Sequence, residues 1–299
     1  MLIVLEQVLI LVLSAAVGYI LCKTGKVDSR HAKTLSALHV YVFLPCTIFN
    51  TYSTQFTIPY IREYFPLLLT ALVIVLFLLL LTTFLARGLT KKEYLRAIYR
   101  YSLMVSNYGG FGYPLISGLY GAQMLQNAML FSVPTSLYTY TAGYAELTKS
   151  ELRLRRLLNP MMTAILLGAA VGLSGLKLPS LAAGIVNKFA ACMAPVGMLI
   201  VGMVVSDFDL KKLLRVKMNY VVVALRLLVL PFLIVGSLKL LGFETCVVPA
   251  LMMYAMPCGM NTVIFPRLIG EDCETGASLT LISSVLACLT VPICFTVLA

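Results

Sequence analysis

Apolar residues in this chain run in blocks of about 20 or more, with short polar stretches between them, instead of alternating at the period of an amphipathic helix or strand. Uncharged runs from Phe65 to Ala86, Leu157 to Leu176, Thr245 to Pro266 and Thr275 to Ala299 each reach the length a helix needs to cross a bilayer. The run from Tyr101 to Ala145 is about twice that length, so it turns back once, between Gly118 and Gln126. With Leu2 to Cys22, Leu35 to about Phe56, about Ala182 to Ser206 and Met218 to Leu241, the pattern predicts an all-α integral membrane protein of ten spans.

Two of these segments are interrupted at mid-depth: Ser106-Asn-Tyr-Gly-Gly-Phe-Gly-Tyr-Pro114 in the fourth and Met256-Pro-Cys-Gly-Met-Asn261 in the ninth. Proline removes a backbone donor and glycine lets the chain leave helical geometry, so each break frees amides and carbonyls that hydrocarbon cannot satisfy. Paired interrupted helices at corresponding places in two halves point to a secondary transporter. Five spans per half is an odd number, so a repeated half enters from the opposite side. The expected domains are inverted five-helix units, 1–150 and 151–299, with Arg153, Arg155 and Arg156 at the junction. Pro45 then answers Pro195, and Pro114 answers Pro257.

Charge orients this arrangement. Of the 23 Lys and Arg residues, 18 fall in the loops following the odd-numbered spans, so the positive-inside rule places those loops in the cytoplasm and both termini outside. The net charge of +11 is therefore a mark of membrane orientation, and nucleic acid is not an expected partner. The opening Met-Leu-Ile-Val-Leu-Glu lacks the basic region of a signal peptide, so the first apolar stretch reads as a retained helix. Eight cysteines show no CxxC spacing and no accompanying His pair, so no metal or other cofactor is expected. Gly168, Gly172 and Gly175 read as helix packing.

Each break leaves a half-helix amino end in the membrane, where free amides and the helix dipole favour an anion. The candidate binding residues are Asn107, Tyr108, Gly110 and Pro114 on one side and Pro257, Gly259 and Asn261 on the other. A plain proline kink satisfied by neighbouring hydroxyls is the competing reading. Asn50 either faces the same crevice or ends a helix at the outer surface. Arg226, about 13 Å along its helix from Lys217, either draws anions toward the crevice or snorkels to the headgroups. All 12 carboxylates lie in loops or near span ends, which disfavours cation coupling through a buried acid. No HExxH and no converging nucleophile, base and carboxylate favour an enzyme.

Asn107-Tyr-Gly-Gly-Phe-Gly-Tyr-Pro-Leu115, Asn159-Pro160 with Leu178-Pro179, Ala255-Met-Pro-Cys-Gly-Met-Asn261 and the stretch Glu274 to Pro292 together resemble the auxin efflux carrier family over nearly the whole chain. The resemblance implies a fold similar to bile acid sodium symporters and sodium/proton antiporters, with the fourth and ninth helices crossing at their breaks. It implies a mobile unit of helices three to five and eight to ten, and a scaffold of helices one, two, six and seven that often forms a homodimer. Transport would be elevator-like, of auxin in plant members and of malonate or similar organic acids in bacterial ones. Carried onto this chain, the crossover prolines are Pro114 and Pro257 and the crossover asparagines Asn107 and Asn261. The long central hydrophilic loop of plant carriers is absent, and the third span carries no match to their charged pair. The expected function is efflux of a small organic anion, with a sodium- or proton-coupled importer or a non-transporting ligand receptor as alternatives.

Overall fold

In the computed structural model, which describes residues 2–150 and 160–298, every regular element is a helix. The predicted basic junction at Arg153, Arg155 and Arg156, and Asn159, lie outside the described residues. The principal helices are α1 (Leu2–Lys23), α2 (His31–Thr54), α3 (Phe65–Leu89), α4 (Glu93–Met104), α5 (Tyr113–Tyr138), α6 (Pro160–Ser174), α7 (Ser180–Ser206), α8 (Lys217–Leu240), α9 (Glu244–Tyr254), α10 (Asn261–Ile269) and α11 (Glu274–Leu298). Among the described residues α2, α3, α7, α8 and α11 are each long and apolar enough to cross a membrane.

Local sequence sets the helix limits. Pro66 enters α3 in its first turn, where a missing N–H costs nothing, and Thr90 in extended geometry ends it. Glu93 lies in the first turn of α4 and complements the dipole there. Asp272 Oδ1 accepts from the Glu274 N–H at 2.9 Å ahead of α11. The expected turn inside the long apolar run occurs at Gly121, whose φ of 78° is the left-handed geometry glycine adopts without strain, so α5 is two helices meeting there.

Small residues decide which helices touch. α1 lies along α7, with Gly18 against the backbone of Leu199 and Gly202 against Ala15. α2 packs on α6, where a Cβ at Gly168 or Gly172 would strike Phe49, Tyr52 or Phe56 at under 3 Å. Gly175 does not share that packing role: it takes φ 69° just past α6 with open space around it, and ends the helix. On the other side α3 packs on α4 and α5, α5 on α9, and α8 on α9 and α11.

Candidate functional site at the crossing of two broken segments

The first break begins where α4 stops at Met104. Val105 is extended, Asn107 is non-helical (φ −81°, ψ 47°), and residues Tyr108–Gly112 form a wide turn in which the Tyr113 N–H reaches the Tyr108 carbonyl. Pro114 follows in the first turn of α5, so the break lies upstream of the proline and not at it. A proline ring clashes with the carbonyl four residues back, and one extra residue in that turn moves the carbonyl aside. The same device recurs. His39–Phe43 precedes Leu44-Pro45, and Leu225–Val229 precedes Leu230-Pro231.

The second break spans residues 255–260, between α9 and α10, and holds Pro257 inside it. The two breaks cross as a short antiparallel pair, Ser106 opposite Cys258. The Asn107 N–H donates to the Pro257 carbonyl at 2.8 Å and the Gly259 N–H to the Val105 carbonyl at 3.2 Å. Any side chain at Gly259 would stand 3.2 Å from the Val105 oxygen, so glycine permits the close crossing. Ser106 Oγ donates to the Met253 carbonyl at 2.7 Å, and the Cys258 N–H to Ser283 Oγ at 3.0 Å. These bonds satisfy backbone groups that the broken helices leave open at membrane depth.

The carbonyl ends of α4 and α9 converge on Arg226. Its guanidinium is fully buried and donates to the carbonyls of Leu103 (2.8 Å), Met253 (2.6 Å) and Met256 (3.3 Å), with the Tyr254 ring 6.0 Å away. This corrects both readings of Arg226 from sequence. It does not snorkel, because no part of it reaches the surface, and it does not present its charge to a crevice, because its donors are turned onto backbone oxygens. A cation here instead offsets the partial negative charge of two helix carboxyl ends.

The amino ends of the second half-helices meet on the other side of the crossing. Asn107 is buried, and its side-chain amide has no hydrogen-bond partner among the described residues. A Cβ at Gly110 would lie 2.8 Å from Asn107 Oδ1 and 3.2 Å from Met260 Cε, so Met260 bridges the two starts. Asn261 is half-buried and donates through Nδ2 to the Tyr101 hydroxyl at 2.9 Å; the Tyr108 hydroxyl shares a bond of 2.9 Å with Ser136. Asn107, Tyr108, Gly110, Pro257, Gly259 and Asn261 are thus brought together. Asn50 is half-buried on α2, the helix that packs on α6, and its backbone carbonyl accepts from Thr54 Oγ1 at 2.7 Å.

A residue that sequence reasoning left aside also belongs to this region. His39 is fully buried in the wide turn of α2; its Nε2 bonds the Met193 carbonyl at 3.0 Å and its Nδ1 has no partner. A Cβ at Gly197 of α7 would meet both His39 Nε2, at 3.1 Å, and the sulfur of Met260. The signal was present as spacing. His39, Tyr108 and Leu225 each stand six residues before a proline and each open a wide turn.

With this geometry in view, comparison with known proteins is direct. A family model described as membrane transport protein matches residues 3–154 and 145–295. The chain is also similar to an uncharacterized transporter of Methanocaldococcus jannaschii, 26% identical over 302 residues that cover 96% of each chain.

Proposed function

Since the chain belongs to the membrane transport protein family of auxin efflux carriers, and is a transporter and not an enzyme, we propose that it carries a small organic anion, a carboxylate, across the membrane by elevator-type alternating access. The observation that carries this reading is the unpartnered Asn107 amide beside two helix amino ends that meet at Met260. Partial positive charge and free donors in a low-dielectric setting bind an oxyanion, while Arg226 on the far side holds the opposite helix ends together. In this reading Asn107, Gly110 and Asn261 face the carboxylate, Tyr108 supplies a wall, and Pro114, Pro257 and Gly259 shape the breaks.

The architecture we propose is ten spans in two inverted five-helix repeats, 1–150 and 151–299. The two family-model matches, falling one on each half, support it. α3, α4, α5, α8, α9, α10 and α11 form the moving unit. α1, α2, α6 and α7 form the scaffold against which Met260 slides past Gly197, and through which two copies pair. Both termini face outward and the basic loops face the cytoplasm. Membrane potential then drives anion exit by about 2.3 kcal/mol per charge per 100 mV. A second reading, a proton-coupled importer on the same fold, is favoured by His39, a buried titratable ring with one free nitrogen at the moving interface.

Charge movement in proteoliposomes offered mono- and dicarboxylates, aromatic acids included, tests both. Currents without any cation gradient are the expected result. Currents that require a pH gradient and vanish in His39→Gln establish the importer, and silence across the panel in folded protein overturns transport of carboxylates.

A further inference from the structure

A polar cavity apart from the crossing opens where the basic end of α3 and the first turns of α4 face residues 145–150. It has a volume of about 630 Å³ and its wall includes Arg87, Arg96, Arg100 and Lys149 against only Glu93 and Glu146. Two of these cations are already neutralised: Arg100 pairs with Glu146 and also reaches Thr83, and Lys149 pairs with Glu271 at 2.6 Å while lying over the Tyr94 ring. Arg87 and Arg96 have no carboxylate partner among the described residues. Arg96 gives one N–H to the Lys91 carbonyl at 3.3 Å, but its Nε is buried without any partner. A buried guanidinium donor left open in a cavity wall carries a desolvation cost that an oxyanion would remove.

The surroundings of this cavity indicate what brings the oxyanion. Leu76, Leu80 and Phe84 form an exposed apolar stripe down α3, at 53%, 76% and 76% exposure, and the next residue in that stripe is Arg87. Acyl chains lying along the stripe would end with their headgroup at Arg87. The volume suits a glycerophosphate group, and basic pockets between helices on the cytoplasmic side are where anionic headgroups lodge. We propose that this cavity is a phosphate-binding site occupied by the headgroup of an anionic phospholipid, held by Arg87 and Arg96. It does not depend on what the crossing carries.

The test titrates the detergent-solubilised full chain with short-chain phosphatidylglycerol, short-chain phosphatidylcholine and inorganic phosphate, reading bound ligand by native mass spectrometry and the unfolding temperature. The expected result is tighter binding of phosphatidylglycerol than of phosphatidylcholine, weakened about fivefold by Arg87→Gln or Arg96→Gln and about 25-fold by both. Arg96→Lys, which keeps the charge, should retain most of the binding, so a loss through misfolding is distinguishable. Inorganic phosphate binding alone, lost in the double variant, keeps the site and makes its ligand a free phosphate. Equal binding of the two lipids, or undiminished phosphatidylglycerol binding in a folded double variant, overturns the proposal.

Discussion

The two breaks occupy matching places, yet they are built by different means. The second is clamped: its carbonyls are held by Arg226 and Ser106, its Cys258 N–H by Ser283, and its proline carbonyl by the backbone of Asn107. The first is loose by comparison. It relies on glycines, a wide turn and one carbonyl bond to Arg226, and it leaves a side-chain amide free. In the proposed reading the difference is a division of labour, in which one segment fixes the geometry of the crossing and the other keeps uncommitted polar groups for a guest. Donors already spent on the backbone hold the crossing together, and donors left unspent are the ones a ligand finds.

The largest effect should follow from removing the clamp. Arg226→Leu leaves the carbonyls of Leu103 and Met256 short of a donor at roughly 1–3 kcal/mol each and that of Met253 with Ser106 alone, so the unfolding temperature should fall steeply and transport should be lost with it. Arg226→Lys keeps the charge but replaces a planar fork with a compact ammonium that cannot span both helix ends, and should be intermediate. A melting curve of each variant in detergent checks this. An unchanged melting point in Arg226→Leu with slower transport would return Arg226 to anion steering and dissolve the contrast between the breaks.

The next effect separates the two asparagines. Asn107→Ala should weaken anion binding by about tenfold to a hundredfold, the worth of one to two lost hydrogen bonds to a charge, and leave the melting point in place because the amide has no protein partner. Asn261→Ala should weaken binding less and lower the melting point slightly, since it also strips the Tyr101 hydroxyl of its donor. Titration calorimetry with the transported acid measures both. Equal losses would mean that the second break contributes as much to the ligand as the first.

Long apolar blocks, the two breaks and the turn near Gly121 were legible in the sequence because each follows from length, proline and glycine alone. The meeting of Asn107 and Asn261 was anticipated through family resemblance, not through spacing. What stayed hidden depends on side-chain direction. A lone arginine in a span can snorkel, face a cavity or cap a carbonyl, and only the crossing of α4 and α9 behind it selects the third. A position five residues past Pro45 likewise does not say which way the Asn50 side chain is turned. His39 gives no signal of this kind either, because nothing along the chain shows that the fold packs α7 over it.

The smallest effect is also the most selective, because it compares two serines that differ only in what they leave behind. Ser283→Ala takes the sole acceptor from the Cys258 N–H in a fully buried setting, and an orphaned donor costs about 1 kcal/mol or more. Ser106→Ala takes one donor from the Met253 carbonyl, but that oxygen still accepts from Arg226 at 2.6 Å, so it loses strength without losing satisfaction. The melting point should therefore drop measurably for Ser283→Ala and by less than half as much for Ser106→Ala. Combined with Arg226→Lys, Ser106→Ala should become the costlier of the two, since the second donor on Met253 is then weakened. A double-mutant cycle on melting free energies reads that reversal. Strict additivity of Ser106→Ala with Arg226→Lys would show that the two donors do not share the load at Met253, and the second break would then be a set of separate bonds and not a clamp.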